Sequence, residues 1–478
     1  MLLKVKYPLI FLVVCLLSAC IPKQADHTGR WISLLPDKSM KGWISNGKLG
    51  YLGDTLVVIG PGSHYYTGNI HQARFKNFEF TTTMKTQPGA VAGLWIHSGN
   101  MSGYHILIDN TPTNEGRHKT GSLSSIRNIY KSMAADNEWF TLRIKVVGKH
   151  ITIKVNNILV VDYVEPDNPY RLAENAGMRF SEGTFVLSNN TENSIKIRNM
   201  NLMPLSDREK PERTDAIDEQ NDDIIRLQQA YFPVIDFHVH LKGWNQEQAM
   251  ENSRRTGIYY GLAPNCGIGF PVTSDEDIYT YLDTTKNLSC FQAMQGEGRE
   301  WVTTFSEEAR SKFDYVFTDA MTFTDHRGRR TRLWIPEEVH IDIPHENYMD
   351  IIVDRTVKVL LEEPIDIFVN PTFLPAQMSP DYDLLWTDER INRVIRALLD
   401  RGIALEINAR YRLPGEKIIR AAKEAGVRFA FGTNNEDQNI GKLEYCIEMM
   451  EKCGITYYDM FFPEIKEANN KSLKSIFN

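Results

Sequence analysis

The stretch Val234-Ile-Asp-Phe-His-Val-His-Leu241 carries the densest chemistry in the chain. Its aliphatic and aromatic residues show no helical period and follow Pro233, so it is predicted to be a strand. Side chains alternate faces along a strand, which puts Asp236, His238 and His240 on one side and Phe237, Val239 and Leu241 on the other. Two imidazoles about 6–7 Å apart on one face suit a single divalent cation. The alternative for such a pair is two histidines satisfied by ordinary hydrogen bonds.

Such a strand needs a scaffold, and the C-terminal half supplies a pattern for one. Apolar runs at 234–237, 258–262, 289–294, 315–317, 365–369, 404–407 and 428–431 alternate with amphipathic helical segments, the signature of a parallel α/β architecture. Polar residues follow nearly every run: Asn265, Glu297, Asp319, Asn370, Asn408 and Thr433-Asn434-Asn435-Glu436. The C-terminal ends of barrel strands converge on one mouth, where chemistry is built. The expected metal ligands are His238, His240, Glu297, Asp319, Glu406 and Asn434, a carboxylate and imidazole set that suits zinc, manganese or iron. A metal there would activate water and polarise a phosphoryl or carbonyl oxygen, with Glu297 and Arg410 as catalytic groups. Arg299, Asn370 and Asn408 are expected to contact substrate, and Arg410 is a natural clamp for an anion. A buried ion pair within the barrel is the alternative for Glu406 and Arg410.

Residues 31–205 alternate with period two, and Gly and Asn punctuate the runs, which predicts a two-sheet sandwich. Asn156-Asn157 between two such runs predicts a hairpin turn. His105 is a candidate base, since its reference pKa lies near neutrality, and Asp109 is a candidate partner. Trp95, His97 and Tyr104 are candidate sugar contacts; a place in the core is the alternative for the two aromatics.

Two family resemblances follow. Gly42-Trp43, Phe78-Glu-Phe80, Gly93-Leu-Trp-Ile96, Gly103-Tyr104, Thr120-Gly121 and Ile158-Leu-Val-Val-Asp-Tyr163 together resemble the 3-keto-disaccharide hydrolase domain. The resemblance implies a concanavalin- or laminin-G-like jelly roll and hydrolysis of 3-oxo-glycosides. A 3-keto group acidifies the neighbouring C–H, so one base with carbonyl polarisation can expel the glycosidic oxygen. Family members usually carry an acid after the Gly-Tyr pair, where this chain has His105. Asp236-Phe-His-Val-His240 and Gly296-Glu297 resemble motifs of the polymerase-and-histidinol-phosphatase (PHP) family. That resemblance implies a distorted seven-stranded barrel with up to three metal ions. The family's closing strand usually ends Ser-Asp-x-His; Thr433-Asn434-Asn435-Glu436 lowers ligand charge, leaving one or two ions or a degenerate site.

The chain opens with Lys4 and Lys6, an apolar run over 8–17 and Leu17-Ser18-Ala19-Cys20, which closely resembles a bacterial lipobox. Cys20 is therefore the expected lipidation site and the only expected link to a membrane, a lipid anchor at the outer membrane of the cell envelope. The 54 basic residues against 61 acidic ones give a net charge of −7, which argues against a nucleic-acid partner. The expected organisation is a signal peptide (1–19), a tether (20–30), a jelly-roll sandwich (31–205), a charged linker with a short helix (206–232) and a seven-stranded TIM-like (β/α) barrel (233–478). The expected function is a carbohydrate-active hydrolase, its sandwich binding or cleaving 3-keto-glycosides and its barrel performing metal-assisted hydrolysis. The alternative is a non-catalytic glycan-binding lipoprotein with a degenerate metal site.

Overall fold

The computed structural model describes residues 28–35, 37–68, 74–98, 102–112 and 117–464. Cys20 and the leader lie outside the described residues. Two antiparallel sheets form the N-terminal domain. One runs, in spatial order, Ile158–Val164, His150–Val155, Phe140–Val147, Phe78–Thr86, Ile195–Pro204, Thr55–Ile59 and Lys48–Leu52, with Ile32–Ser33 also paired to Ile195–Pro204. The other runs Trp43–Ser45, Gly62–Tyr66, Thr184–Asn189, Ala92–Ser98 and Tyr104–Ile108. Alternation dictates this packing: every second residue of Phe78–Thr86 is buried, and Phe78 and Phe80 meet Phe185 of the opposite sheet at 5.0 and 5.2 Å between ring centres. Asn156 and Asn157 take φ of 50° and 67°, the left-handed turn that matches the twist of a hairpin.

Seven parallel strands close into a barrel in the C-terminal half. They are Ile235–Val239, Tyr259–Leu262, Phe291–Gly296, Tyr315–Thr318, Ile367–Phe368, Ala404–Asn408 and Phe429–Gly432, each within one of the runs marked by the sequence or overlapping it. Pairing of Gly261 with Phe291 and of Asp236 with Phe431 completes the ring. A short eighth strand, Asn265–Cys266, adds to the edge of the third. Helices such as Asp388–Arg401 lie in the connections: Thr387 caps its start, Gly402 at φ 67° ends it, and Ile391, Val394, Ile395 and Leu398 form its buried stripe. Among the described residues no helix is long and apolar enough to cross a membrane.

The sandwich is seated on the end of the barrel where the strands begin. Tyr130 Oη accepts from the Val234 backbone N–H at 3.1 Å, and its ring meets Tyr259 at 5.5 Å. Lys131 Nζ donates to Asp314 at 2.6 Å, and Arg127 donates to the Arg254 and Arg255 carbonyls at 3.1 and 2.8 Å. The barrel floor is a plug of aromatic rings, Phe237, Phe291, Tyr315 and Phe461, with neighbouring centres 5.5–6.2 Å apart. The linker belongs to the same assembly: Gln229, at the end of helix Asp223–Gln229, donates to the Ser125 carbonyl at 2.8 Å. The opposite end of the barrel, where the polar residues collect, therefore faces away from the sandwich.

Candidate functional sites

The barrel mouth is built on the imidazole of His238. Its Nδ1 donates to Glu406 Oε1 at 2.6 Å, and its Nε2 faces Gln295 Oε1 at 3.1 Å. His240, on the same strand face, donates from Nδ1 to the Ala263 carbonyl at 2.8 Å and also contacts Gln295. The two rings stand 5.1 Å apart. Their protonation is pulled in opposite directions. Burial works against a charge on His238 but is outweighed by the Glu406 carboxylate, so its pKa is raised; burial and the His238 charge push His240 down to about 3. Glycine is needed on the neighbouring strand, because a Cβ at Gly432 would lie 2.1 Å from Glu406 Oε1.

Amides extend this network. Glu406 Oε2 accepts from the Asn370 backbone N–H at 2.6 Å and from Asn408 Nδ2 at 2.9 Å. Asn370 Oδ1 in turn accepts from Asn408 at 2.9 Å and Asn434 at 2.7 Å, and Asn370 Nδ2 donates to Asp319 at 3.1 Å. Asn370 and Asn434 both take left-handed backbone, at φ 48° each, a conformation that asparagine tolerates better than most residues. Glu297 accepts from Asn265 at 2.5 Å; burial, then the nearby Asp319 charge, push its pKa up to about 7. Arg299 donates to the Asp319 carbonyl at 2.8 Å, to Thr318 at 3.1 Å and to Glu363 at 2.9 Å, so it braces the mouth from outside. Arg410 pairs with Glu436, not Glu406, and with Asn434 and Asn435 lines a rim cavity of about 320 Å³.

Among the described residues, no three His, Cys, Asp or Glu side chains come together as a metal-binding group. The histidine pair itself fits a cation. Both Nδ1 atoms are tied to an acceptor behind the ring, the arrangement that fixes the tautomer of a ligating histidine, and both rings turn their other edge to Gln295. His238 and His240 are the residues that would hold an ion; Glu297, bonded to Asn265, does not complete a three-ligand group with them. Asp236 takes no part: its carboxylate accepts from the Thr433 backbone at 2.9 Å, the Thr433 hydroxyl and the Gly441 backbone at 3.2 Å, stitching the first strand to the last. Gln295, two residues before Glu297, is not among the residues marked by the sequence, where Gly296-Glu297 represents the end of that strand.

On the sandwich, His105 sits on the outer face of the five-stranded sheet. It pairs across the strands with Trp95, their ring centres 4.5 Å apart. Ser124 Oγ lies 2.8 Å from Nδ1, and a Cβ at Gly93 would come within 1.9 Å of Nε2. Burial lowers the His105 pKa to about 4, so the ring is neutral at pH 7 and has a basic nitrogen. The Trp95 indole N–H has no partner among the described residues. The other sandwich candidates lie elsewhere. His97 is 3% exposed among Phe78, Phe180 and Tyr104, with Nε2 2.9 Å from the Lys76 carbonyl. Tyr104 is in the core and donates to Glu165. Asp109 is buried in an ion pair with Lys119 at 3.3 Å. Strand parity separates these residues: Trp95 and His105 face outward, while Ile96 and Tyr104 face the core. Ser124 was not legible in the sequence, because the loop that returns it to His105 has no pattern of its own.

Comparison with known proteins bears on the sandwich. No curated protein matches the chain. Solved structures similar to it include a candidate glycosyl hydrolase from Parabacteroides distasonis, with 13% identity and a TM-score of 0.32 over 37% of this chain and 94% of that one. The carbohydrate-binding module CBM66 from Bacillus subtilis has 17% identity and a TM-score of 0.25 over 33% and 93%. The exoplasmic/lumenal domain of VIP36, bound to Ca²⁺ and Man3GlcNAc, has 16% identity and a TM-score of 0.28 over 40% and 92%. Residues 30–203, the span of the sandwich, match the family model of the 3-keto-alpha-glucoside-1,2-lyase-like domain.

Proposed function

We propose that this protein is a carbohydrate-active hydrolase whose sandwich acts on 3-keto-glycosides, with His105 as base. The observation that carries the proposal is the Trp95–His105 pair on the outer sheet face of a domain with that family match. Burial without an acidic partner keeps the imidazole neutral. The ring nitrogen not held by Ser124 takes the C2 proton of a 3-keto-glycoside. The released pair forms a C1=C2 bond conjugated with the C3 carbonyl, and the C1–O bond breaks. The departing oxygen takes a proton from the imidazolium or water; addition of water to the enone completes hydrolysis. The Trp95 N–H is buried and unpartnered among the described residues, a donor left for a sugar oxygen, and the indole face suits a sugar ring.

The barrel, in the same proposal, is a PHP-like site for metal-assisted hydrolysis. A zinc, manganese or iron ion on His238 and His240, with Glu297 recruited as a third ligand, would supply Lewis acidity and an activated water. The protein's own contribution is orientation: Glu406 and the Ala263 carbonyl fix the rings, and the asparagines hold Glu406. Cys20 would tether both domains to the envelope.

Two measurements test the two halves. Turnover of a 3-keto-glucoside by the wild-type protein, lowered by about a hundredfold or more in His105→Gln, is the expected result for the sandwich; equal rates in both would remove His105 from the chemistry. Elemental mass spectrometry on the wild type and on a His238→Ala/His240→Ala variant tests the barrel. At least one equivalent of metal, lost in the variant, is expected; metal-free protein after reloading would leave the sandwich as the working domain.

A further inference from the structure

A second cavity, of about 450 Å³, lies beside the barrel mouth and shares Arg299 with it. Helix His345–Glu362 forms one wall, and Val302, Phe323 and Val359 give the cavity an apolar lining. Arg355 and Lys358, three apart on that helix, present their cationic ends on one side of it. The charges here differ in what they already hold. Arg299 is committed to Glu363, Thr318 and the Asp319 carbonyl, and Lys358 stands 3.8 Å from the exposed Glu362. Arg355 Nε, by contrast, is buried with no hydrogen-bond partner among the described residues.

A buried guanidinium donor without a partner is unfavourable, and buried polar groups are normally satisfied by protein, water or ligand. Glu363 does not bond to Arg355 and is engaged instead by Arg299 at 2.9 Å and the Trp301 indole at 2.7 Å, one on each oxygen. The cavity volume falls in the range of small-molecule sites, and its lining sets three cations, Arg299, Arg355 and Lys358, against two carboxylates, Glu362 and Glu363, beside the apolar wall. We infer that this cavity binds a small organic anion, its carboxylate or phosphate on Arg355 and Lys358 and its carbon body against Phe323 and Val359. The planar fork of arginine suits either oxyanion. The site goes beyond the chemistry proposed for the mouth and does not depend on it.

The test is titration calorimetry on the full chain with three probes: inorganic phosphate, glucuronate and glucose, at matched ionic strength. Saturable binding of glucuronate or phosphate, and none of glucose, is expected. Arg355→Gln should weaken that binding by about tenfold to a hundredfold, the loss of a charge-assisted contact. Lys358→Gln, on the exposed side of the helix, should weaken it by about threefold and flatten its salt dependence. Tighter glucuronate would identify the anion as a sugar acid, and tighter phosphate as a phosphate ester. Arg410→Gln, on the separate rim cavity, should leave binding unchanged. If Arg355→Gln does not fold, Lys358→Gln and Arg410→Gln still decide the matter. Absence of saturable anion binding overturns the proposal, as does binding lost in Arg410→Gln but kept in the helix variants.

Discussion

His105 on the sandwich and His238 in the barrel each lie against a glycine of the adjacent strand, yet one is held by a single serine and the other by a web of amides and carboxylates. The difference sets their charge. Burial alone depresses His105 to about 4, whereas Glu406 outweighs burial at His238 and raises it. A neutral imidazole with one restraint can accept a proton and turn toward a substrate. An imidazole fixed on both edges is better suited to hold something in place. On the proposed function, the two domains use the same residue for reactivity and for rigidity.

The sharpest way to break this contrast is to exchange the histidines for glutamine one at a time. His105→Gln should lower 3-keto-glucoside turnover by about 10²–10⁴-fold, the usual range for a general base, while His238→Gln should leave that reaction within about twofold. Initial rates on both variants decide it; a large loss in His238→Gln would place the chemistry in the barrel.

Stability should show the reverse order. Glu406→Ala strands a buried imidazole whose side chain is 1% exposed, and removing one partner of such a pair costs about 3–5 kcal/mol. His105→Ala removes one hydrogen bond from a partly buried ring and should cost about 1 kcal/mol. Urea midpoints of the two variants measure the difference. A small Glu406→Ala effect would mean that the barrel network relaxes around the loss.

The glycines separate geometry from charge. Gly93→Ala would drive a methyl group into the space of His105 Nε2, so the ring must swing away and turnover should fall at least about tenfold with little change in melting temperature. Gly432→Ala meets Glu406 at 2.1 Å and His238 Cβ at 2.9 Å, neither of which can move freely, and should destabilise by about 1–3 kcal/mol. Similar stability losses in both would erase the distinction between an open and a locked site.

Much of the scaffold was legible, and the reasons are local. Period-two alternation marks Phe78–Thr86 because one face is core and the other is not. The barrel runs stand out because parallel strands are buried on both faces. His238, Glu406, Asn370, Asn408 and Asn434 were found as polar residues at strand ends, and the structure does join them through hydrogen bonds. The pairings were not legible, since Arg410 lies closer in sequence to Glu406 than Glu436 does, yet pairs with the latter across 26 residues. His97 illustrates a second limit: at φ 52° it breaks the regular alternation of its strand, so parity counted from Trp95 cannot place it. Ser124 and Gln295 were invisible for positional reasons: Ser124 lies in a loop with no pattern of its own, and Gln295 lies within its strand, one residue before the glycine that ends it.

The smallest expected effect tests whether the barrel supports the sandwich site. Ser124 belongs to a loop anchored at its far end by Tyr130 and Lys131 on the barrel floor, and its backbone also donates to the His105 carbonyl at 2.9 Å. Ser124→Ala removes the Nδ1 contact but leaves that backbone bond, so turnover should fall only about five- to tenfold, the worth of one neutral hydrogen bond. The acid limb of the pH–rate profile should stay centred near 4, because burial rather than Ser124 lowers the His105 pKa. Above that pH the ring is neutral and active; below it the ring is protonated and activity is lost. Lys131→Met acts from the other side: it leaves the half-satisfied Asp314 carboxylate buried and loosens the loop without touching His105. If the loop transmits that change, Lys131→Met and Ser124→Ala combined should lower turnover by less than the product of their separate effects, because both act through one contact. Fully multiplicative losses would show that the barrel and the His105 site are independent, leaving the sandwich to position its own base.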